Sequence, residues 1–277
     1  MLEQFNQLSQ LTQLPLHFAL VVFRIAGLMV FAPVVGSDKI PRTVKFYTAV
    51  AMALCVCSSP WAMPRPESIP DSPFLLIAGI AGEILFGLLA GLLLSLVFIT
   101  ARWAGGIAGQ QMGFNMAGNF NPTADFGGNP LGDVYFILTL LIFLSLDAHT
   151  SMMVGVFRSF EAVPPLSFAL NTDLLDLFVN TLGGATGLAM RIAAPVCTAM
   201  LVVDLSLGML GKTIPSLNLL SVGLSIRAGV GLILCIFGLY MTSELLVDAI
   251  NNGLLLTEEL WLQPPAQALA QAGGAGG

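Results

Sequence analysis

The chain has 277 residues, of which 56% are hydrophobic and only 9% are charged, and its mean hydropathy is +0.87. The surface of a soluble domain needs roughly 25–35% charged residues, so this composition excludes a soluble enzyme and a disordered linker protein. The formal net charge of -6, with no basic cluster, also excludes a nucleic-acid binder. The surroundings of this chain are therefore mostly lipid or other protein.

Six apolar segments follow one another along the chain, each near or above the roughly 20 residues that a helix needs to cross a bilayer. None alternates with a period of two residues, so all six are predicted to be helices. They cover residues 14–35, 44–63, 74–101, 134–156, 177–203 and 217–242. The sequence thus predicts an all-α membrane protein with a single helical domain over residues 1–262. Residues 263–277 contain only Gln, Pro, Ala, Leu and Gly, and a disordered tail is expected there.

Charged side chains lie inside these apolar segments and not only at their ends. A charge at the centre of a bilayer is costly, and such residues usually pair with one another or mark a functional path. We expect the helices to pair these charges with each other or to pack within a larger protein assembly. The candidate intersubunit or buried charges are Arg24, Glu83, Asp147, Arg191, Asp204 and Arg227.

Glycines recur at helical spacing in three places. Small residues four apart let helix backbones approach closely within a membrane, although glycine is also generally common in membrane helices. The triple repeat at 105, 109 and 113 is the most specific and indicates packing against another helix. The predicted helix-packing positions are Gly87, Gly91, Gly105 and Gly109, and Gly183 and Gly187 show the same spacing.

Residues 110–122 form a polar stretch that is unusually rich in Met and Phe. Non-helical backbone at membrane depth is tolerated only when it is buried in protein or lines a water-filled cavity. Deformable Met and bulky Phe side chains would suit a segment that closes a pore and moves aside. From composition alone, an interfacial re-entrant loop with a structural role remains the alternative.

A secondary transporter is the rival function from another class, because Asp147 and His149 lie close together in an apolar segment and could form a proton relay. Residues two apart on a helix point roughly 200° apart, however, so the two do not form a local pair. No catalytic constellation, metal-ligand spacing or phosphate-binding loop is found, and no enzyme activity, metal or cofactor is expected.

Several short blocks, in order, resemble the FliR family of flagellar type III secretion export-gate proteins, which is similar to the T-subunit of virulence injectisomes. The resemblance runs from about residue 14 to 250. Two features depart from the family pattern: Lys212 stands where an Arg is common, and Ser216 follows Pro215 where Gln is common. The matching blocks are Phe23-Arg24 with Pro33 and Pro41-Arg42, Gly82-Glu83 with Gly87 and Gly91, Gln111-Met112-Gly113 through Pro122, and Ala194-Pro195 through Asp204-Leu205-Ser206-Leu207-Gly208, Ile214-Pro215 and Asn218.

The resemblance implies a subunit of the flagellar export gate, with its helices held in hairpins inside a hetero-oligomeric helical assembly. The implied partners are FliP-like and FliQ-like subunits, a FlhB-like switch protein, flagellar rod proteins and unfolded export substrates. The implied location is the bacterial inner membrane within the flagellar basal body, with part of the gate on the periplasmic side. By the same resemblance, the loop matching residues 110–122 is the plug that closes the channel. Its candidate residues are Met112, Gly113, Phe114, Asn115, Met116, Gly118 and Phe120.

Overall fold

The computed structural model describes residues 2–33, 36, 40–58, 72–114, 129–166, 172–213 and 219–262. Within these ranges the secondary structure is helical, with no strand, which confirms the prediction of an all-α protein. The helices of the described ranges are α1 (Leu2–Phe31), α2 (Arg42–Ser58), α3 (Pro73–Met112), α4 (Pro130–Ser145), α5 (Ala148–Ala162), α6 (Thr172–Thr213) and α7 (Leu219–Leu262).

Several of the predicted helix boundaries are wrong. Helix α3 continues to Met112, beyond the apolar segment that ends near residue 101, because its last turns pack against α4 at Gly105 and against α7 at Gly231. The predicted helix over 134–156 is two helices, since Asp147 adopts a left-handed backbone with φ 51° and interrupts the ladder. Helices α6 and α7 likewise extend well past their apolar segments.

Three of the described helices are long and apolar enough to cross a membrane, over Pro73–Met112, Leu174–Thr213 and Val222–Thr257. The broken pair α4–α5 makes a fourth candidate if it counts as one span, and the apolar part of α1, Pro15–Phe31, is shorter. The membrane class is confirmed, and the number of candidate spans is smaller than the six apolar segments suggested.

The chain divides into two compact units, and α3 contributes to both. The first unit contains α1, α2, α3 up to Ser95, and α5. It also contains the N-terminal end of α6, up to Val179, and the C-terminal end of α7, from Asn252. The second contains the rest of α3 from Leu96, α4, and most of α6 and α7. The break between α4 and α5 coincides with a boundary between the units.

In the first unit, α1 and α3 approach each other closely at glycines. A Cβ atom on Gly87 would collide with the Arg24 carbonyl oxygen and lie 2.8 Å from the Leu28 nitrogen, and one on Gly91 would lie 2.5 Å from the Leu28 oxygen. Gly27 faces the α3 backbone in the same way, at Ile84. The obstacles are backbone atoms, so any larger residue has to push the helices apart.

A buried ion pair lies beside these glycines. The Arg24 Nε donates to Glu83 Oε2 at 2.6 Å, and the two residues are 2% and 0% exposed. The Arg24 guanidinium also lies between the rings of Phe86 and Phe160, at 4.8 and 4.5 Å from their centroids. Removing two charges from solvent is costly, and this pair recovers the loss through short contacts and two aromatic faces.

The same pair holds the end of α5. Arg24 Nη1 donates to the carbonyl oxygens of Ser159 and Val163 at 3.1 and 3.0 Å, and Glu83 Oε1 accepts from the Leu166 N–H at 2.8 Å. A cation is favourable at a helix C-terminus because the last carbonyls have no partner within the helix. One ion pair therefore joins α1, α3 and the turn after α5.

The second unit has a core of small and medium side chains, with an aromatic contact between α3 and α4. Phe98 packs on Phe136 and Phe143, with ring centroids 5.7 and 5.4 Å apart. The core residues come from α3, α4, α6 and α7: Ala101, Ala104, Ala108, Met112, Leu131, Tyr135, Ala189, Ile192, Val196, Met200, Cys235 and Leu246.

The close approach at Gly87 is testable with a matched glycine. Gly183 on α6 is exposed with nothing within 4 Å of a built Cβ, so Gly183→Ala should raise stability by up to about 1 kcal/mol through helix propensity. Gly87→Ala should instead lower it, since overpacking costs about 1–3 kcal/mol. Thermal unfolding of both variants in detergent measures the difference. A higher midpoint for Gly87→Ala as well would contradict the backbone contact.

Removing one charge of the buried Arg24–Glu83 pair should destabilise the chain more than removing both charges. Glu83→Gln leaves the buried Arg24 cation without its counter-charge, and we expect a loss of about 3–5 kcal/mol. The double variant Arg24→Met/Glu83→Met removes both charges and should be more stable than Glu83→Gln. Denaturant unfolding of wild type, Arg24→Met, Glu83→Met and the double variant gives the coupling energy. Strictly additive losses would show that the two side chains do not act as a pair.

Candidate functional site

The C-terminal part of α3 packs directly on the start of α4. A Cβ atom on Gly105 would lie 2.7 Å from both the Gly132 Cα and the Leu131 oxygen, and one on Gly132 would lie 2.8 Å from the Arg102 oxygen. The contact is backbone against backbone, as small residues four apart permit. Gly105 thus packs within the chain, against α4.

Asn129 connects these two helices. Its Oδ1 accepts from the Gly132 N–H at 3.0 Å and caps α4, while its Nδ2 donates to the Arg102 oxygen at 3.4 Å. Pro130 occupies the first helical turn, where its missing N–H is not needed. An exposed ion pair between Arg102 and Asp133, with Nη2 and Oδ1 3.0 Å apart, lies beside the cap.

Helix α3 ends at a left-handed glycine. Gly113 has φ +82°, its N–H bonds the Gln110 oxygen, and the Phe114 N–H bonds the Gly109 oxygen, both at 3.0 Å. This arrangement satisfies carbonyls that the last helical turn leaves free, and only glycine adopts that backbone without strain. A Cβ atom on Gly113 would also lie 2.5 Å from Leu224 Cδ1 on α7.

The last side chain of α3 is fully buried. Met112 is 0% exposed and contacts Gly231 on α7 so closely that a Cβ there would lie 2.7 Å from both Sδ and Cε. Phe114 is partly buried and packs against the core of the second unit. We call residues 109–114, with this contact to Gly231, the α3 terminus. It anchors the point at which residues 115–128 begin.

The structure describes only the first part of the predicted plug. Met112, Gly113 and Phe114 lie in the α3 terminus as described above. The expected loop over 110–122 starts later than predicted, because residues 110–112 are still helical. The remaining plug candidates, Asn115, Met116, Gly118 and Phe120, lie outside the described residues.

The predicted charges fall into different environments. Arg24 and Glu83 form the buried pair, and Arg227 Nε lies 2.7 Å from Asp204 Oδ1 with both side chains partly exposed. That second contact is an ion pair without hydrogen-bond geometry. Arg191 is exposed on α6, and no described residue pairs with it.

The candidate relay residues lie at the break between α4 and α5. Asp147 is exposed and His149 is in the first turn of α5, so the two do not occupy one continuous apolar helix as predicted. His149 Nδ1 is buried and has no partner among the described residues. Nothing in the described contacts joins the two side chains. Within the described ranges no group of three His, Cys, Asp or Glu residues could hold a metal.

Sequence reasoning missed Asn129, Leu224 and Gly231. The Asn129–Pro130 dipeptide is a recognisable helix start, since Asn is a favoured N-cap and Pro is favoured at the first helical position. Gly231 and Leu224 carry no such signal. Their importance comes from contacts with residues more than a hundred positions away, which periodicity does not reveal.

The Met112–Gly231 contact predicts a change in chemical reactivity. Gly231→Leu should displace Met112 and make its thioether accessible to hydrogen peroxide, whereas Gly229→Leu should not, because Gly229 faces open space. Mass spectrometry of detergent-purified protein measures the oxidation rate of Met112, with the exposed Met209 as an internal reference. Equal protection of Met112 in both variants would show that Gly231 does not hold it.

Comparison with known proteins identifies the family to which this chain is similar. The profile of the bacterial export proteins, family 1, matches residues 16–253. Flagellar biosynthetic protein FliR of Bacillus subtilis is 28% identical over 79% of this chain and 84% of its own length. FliR of Pectobacterium carotovorum is 32% identical over 76% and 78%.

A relative from another secretion system matches even more of the chain. The Yop proteins translocation protein T of Yersinia pestis is 28% identical over 86% of this chain and 92% of its own length. The family profile thus covers the apolar part of α1 and all of α2 to α6, together with most of α7. The chain belongs to the bacterial export proteins, family 1.

Proposed function

We propose that this chain is a subunit of the flagellar type III protein export gate, where it forms a closed channel for unfolded export substrates together with FliP-like and FliQ-like partners. The observation that carries the proposal is the family match over residues 16–253, with relatives named for flagellar biosynthesis and for Yop translocation. The family is described as bacterial export proteins, and one relative is named for the translocation of Yop proteins.

The proposal includes a plug that begins at the α3 terminus. Met112 is buried against Gly231, and Gly113 turns the chain out of the helix. A segment that opens and closes moves about hinge residues at the end of the element that holds it, and that element is its base. The α3 terminus supplies such a base, and Phe114 is the first plug residue after it. The remaining plug candidates follow in the segment that it anchors.

The charged residues support an assembled state. Arg191 is exposed in the candidate span Leu174–Thr213, and the half-exposed Arg227–Asp204 pair joins this span to the one over Val222–Thr257. Lipid offers such groups little stabilisation, whereas polar groups of neighbouring subunits or a water-filled path do. Large apolar side chains, among them Leu205, Phe237 and Met241, are also exposed along α6 and α7. We assign these surfaces to contacts within the gate and to surrounding lipid.

The proposed setting is the bacterial inner membrane at the flagellar basal body, with part of the gate on the periplasmic side. A FlhB-like switch protein and the rod proteins are the further proposed contacts. In this scheme the chain performs no chemical step. It binds neighbouring subunits, holds the plug base and limits the path of the substrate.

Deleting residues 115–119 tests the plug within the assembled gate. The deletion leaves the α3 terminus intact, so we expect the complex with FliP-like and FliQ-like partners to form in the normal yield. Reconstituted in liposomes, the deletion complex should conduct ions and release a small trapped dye, while the wild-type complex should stay closed. The control is the same deletion with Gly231→Leu, which also loosens the base and should leak as well.

The two parts of the proposal fail separately. A wild-type chain that does not co-purify with the partner subunits would contradict its role as a gate subunit. An assembled deletion complex with unchanged permeability would contradict only the assignment of the plug.

A further inference from the structure

Helix α6 has two faces of opposite character in the second unit. One face enters the core through Ala189, Ile192, Ala193, Val196 and Met200, all of them buried. The other face is exposed and centres on Arg191. At 100° per residue, its members lie within about 40° of one line along the helix. We call this surface the Arg191 face; it consists of Asn180, Gly184, Gly187, Arg191, Pro195 and Thr198, all exposed.

Arg191 differs from three other arginines of the helices in that no carboxylate of the described residues contacts it. No hydrogen bond or ion pair to Arg191 occurs within the described part of the chain. Three others each meet a carboxylate from a different helix: Arg24 meets Glu83, Arg102 meets Asp133, and Arg227 meets Asp204.

Arg191 also lies between apolar stretches of a candidate span. The span runs over Leu174–Thr213, and the residues next to Arg191 are Met190 and Ile192. A guanidinium cannot lose its proton in a protein, so it needs an anion wherever water is scarce. None of the residues that the structure describes provides that anion.

The backbone of the same face is open to a second helix. Gly184 and Gly187 have nothing within 4 Å of a built Cβ, in contrast to Gly87 and Gly105, which are occupied by a neighbouring helix. Pro195 further removes the N–H that would bond the Arg191 carbonyl, four residues earlier. The face therefore offers a cation, a backbone acceptor and room for close packing at one place.

We propose that the Arg191 face of α6 docks an apolar helix of a neighbouring export-gate subunit, and that a carboxylate of that helix pairs with the Arg191 guanidinium. The inference rests on the proposed function, since it needs a gate with neighbouring subunits. Charge complementarity selects the carboxylate, and the open glycines select a helix as its carrier. A lipid phosphate would satisfy the charge but would not use the close approach at Gly184 and Gly187.

The test is assembly of the full chain co-expressed with its FliP-like and FliQ-like partners. Arg191→Glu and Arg191→Met should lower the amount of chain recovered in the complex by about tenfold or more, and Arg191→Lys should retain more than either. Gly187→Leu should also impair assembly by blocking the helix. Lys212→Met removes an exposed cation near the end of the same helix and should assemble like wild type.

Two readouts separate docking from folding and identify the partner group. Each Arg191 variant alone in detergent should unfold at the wild-type temperature, because Arg191 is exposed in the chain. Gly187→Leu alone should unfold at or above that temperature, because Leu favours a helix more than Gly and meets no neighbour there. In the Arg191→Glu background, exchanging one intramembrane carboxylate of a partner for Arg should restore assembly.

The outcomes distinguish the inference from the proposed function. Wild-type recovery of the Arg191→Glu complex would overturn the inference while leaving the gate function in place. Wild-type assembly that depends on added anionic lipid, together with an Arg191→Glu variant that no partner substitution restores, would also overturn it and assign Arg191 to a phosphate. Failure of the wild-type chain to bind any partner would overturn the proposed function, and the inference with it.

Discussion

The buried Arg24–Glu83 pair is the constraint on which the first unit depends. Neither charge can be solvated where it lies, so each holds the other in place, and both hold the backbone around them. Arg24 binds carbonyls at the end of α5 and Glu83 binds an N–H just beyond it. Three segments far apart in sequence are thereby joined by one interaction. The neighbouring glycines make this possible, because they bring α1 close enough to α3 for the side chains to meet.

Helix α3 combines two kinds of packing along its length. Its first part carries Glu83, Gly87 and Gly91, which face α1. Its last part uses Gly105 against α4 and ends with Met112 buried against α7. Both parts use backbone proximity at glycines alongside buried side chains such as Phe86 and Phe98. That is the expected solution for a membrane helix, since lipid removes most of the hydrophobic drive between helices.

The more deeply a charge of this chain is buried, the more partner groups surround it. The fully buried pair makes short contacts and has aromatic neighbours, while the Arg102–Asp133 and Arg227–Asp204 pairs are partly open. Arg191 has no partner among the described residues and stands on an open small-residue face. This pattern fits the proposed gate subunit, in which interior charges are paired within the chain and surface charges are left for neighbouring subunits.

The sequence by itself determined the membrane class, the helical fold and the family, because composition and short motifs do not depend on tertiary contacts. It also marked Met112, Gly113 and Phe114 as candidates, and Gly87 and Gly105 as packing positions. Tertiary structure alone decided that α3 continues to Met112, that the predicted fourth helix is interrupted at Asp147, and that the Met112 side chain packs against Gly231. Such features depend on contacts between distant residues and on single backbone angles, which hydropathy does not encode.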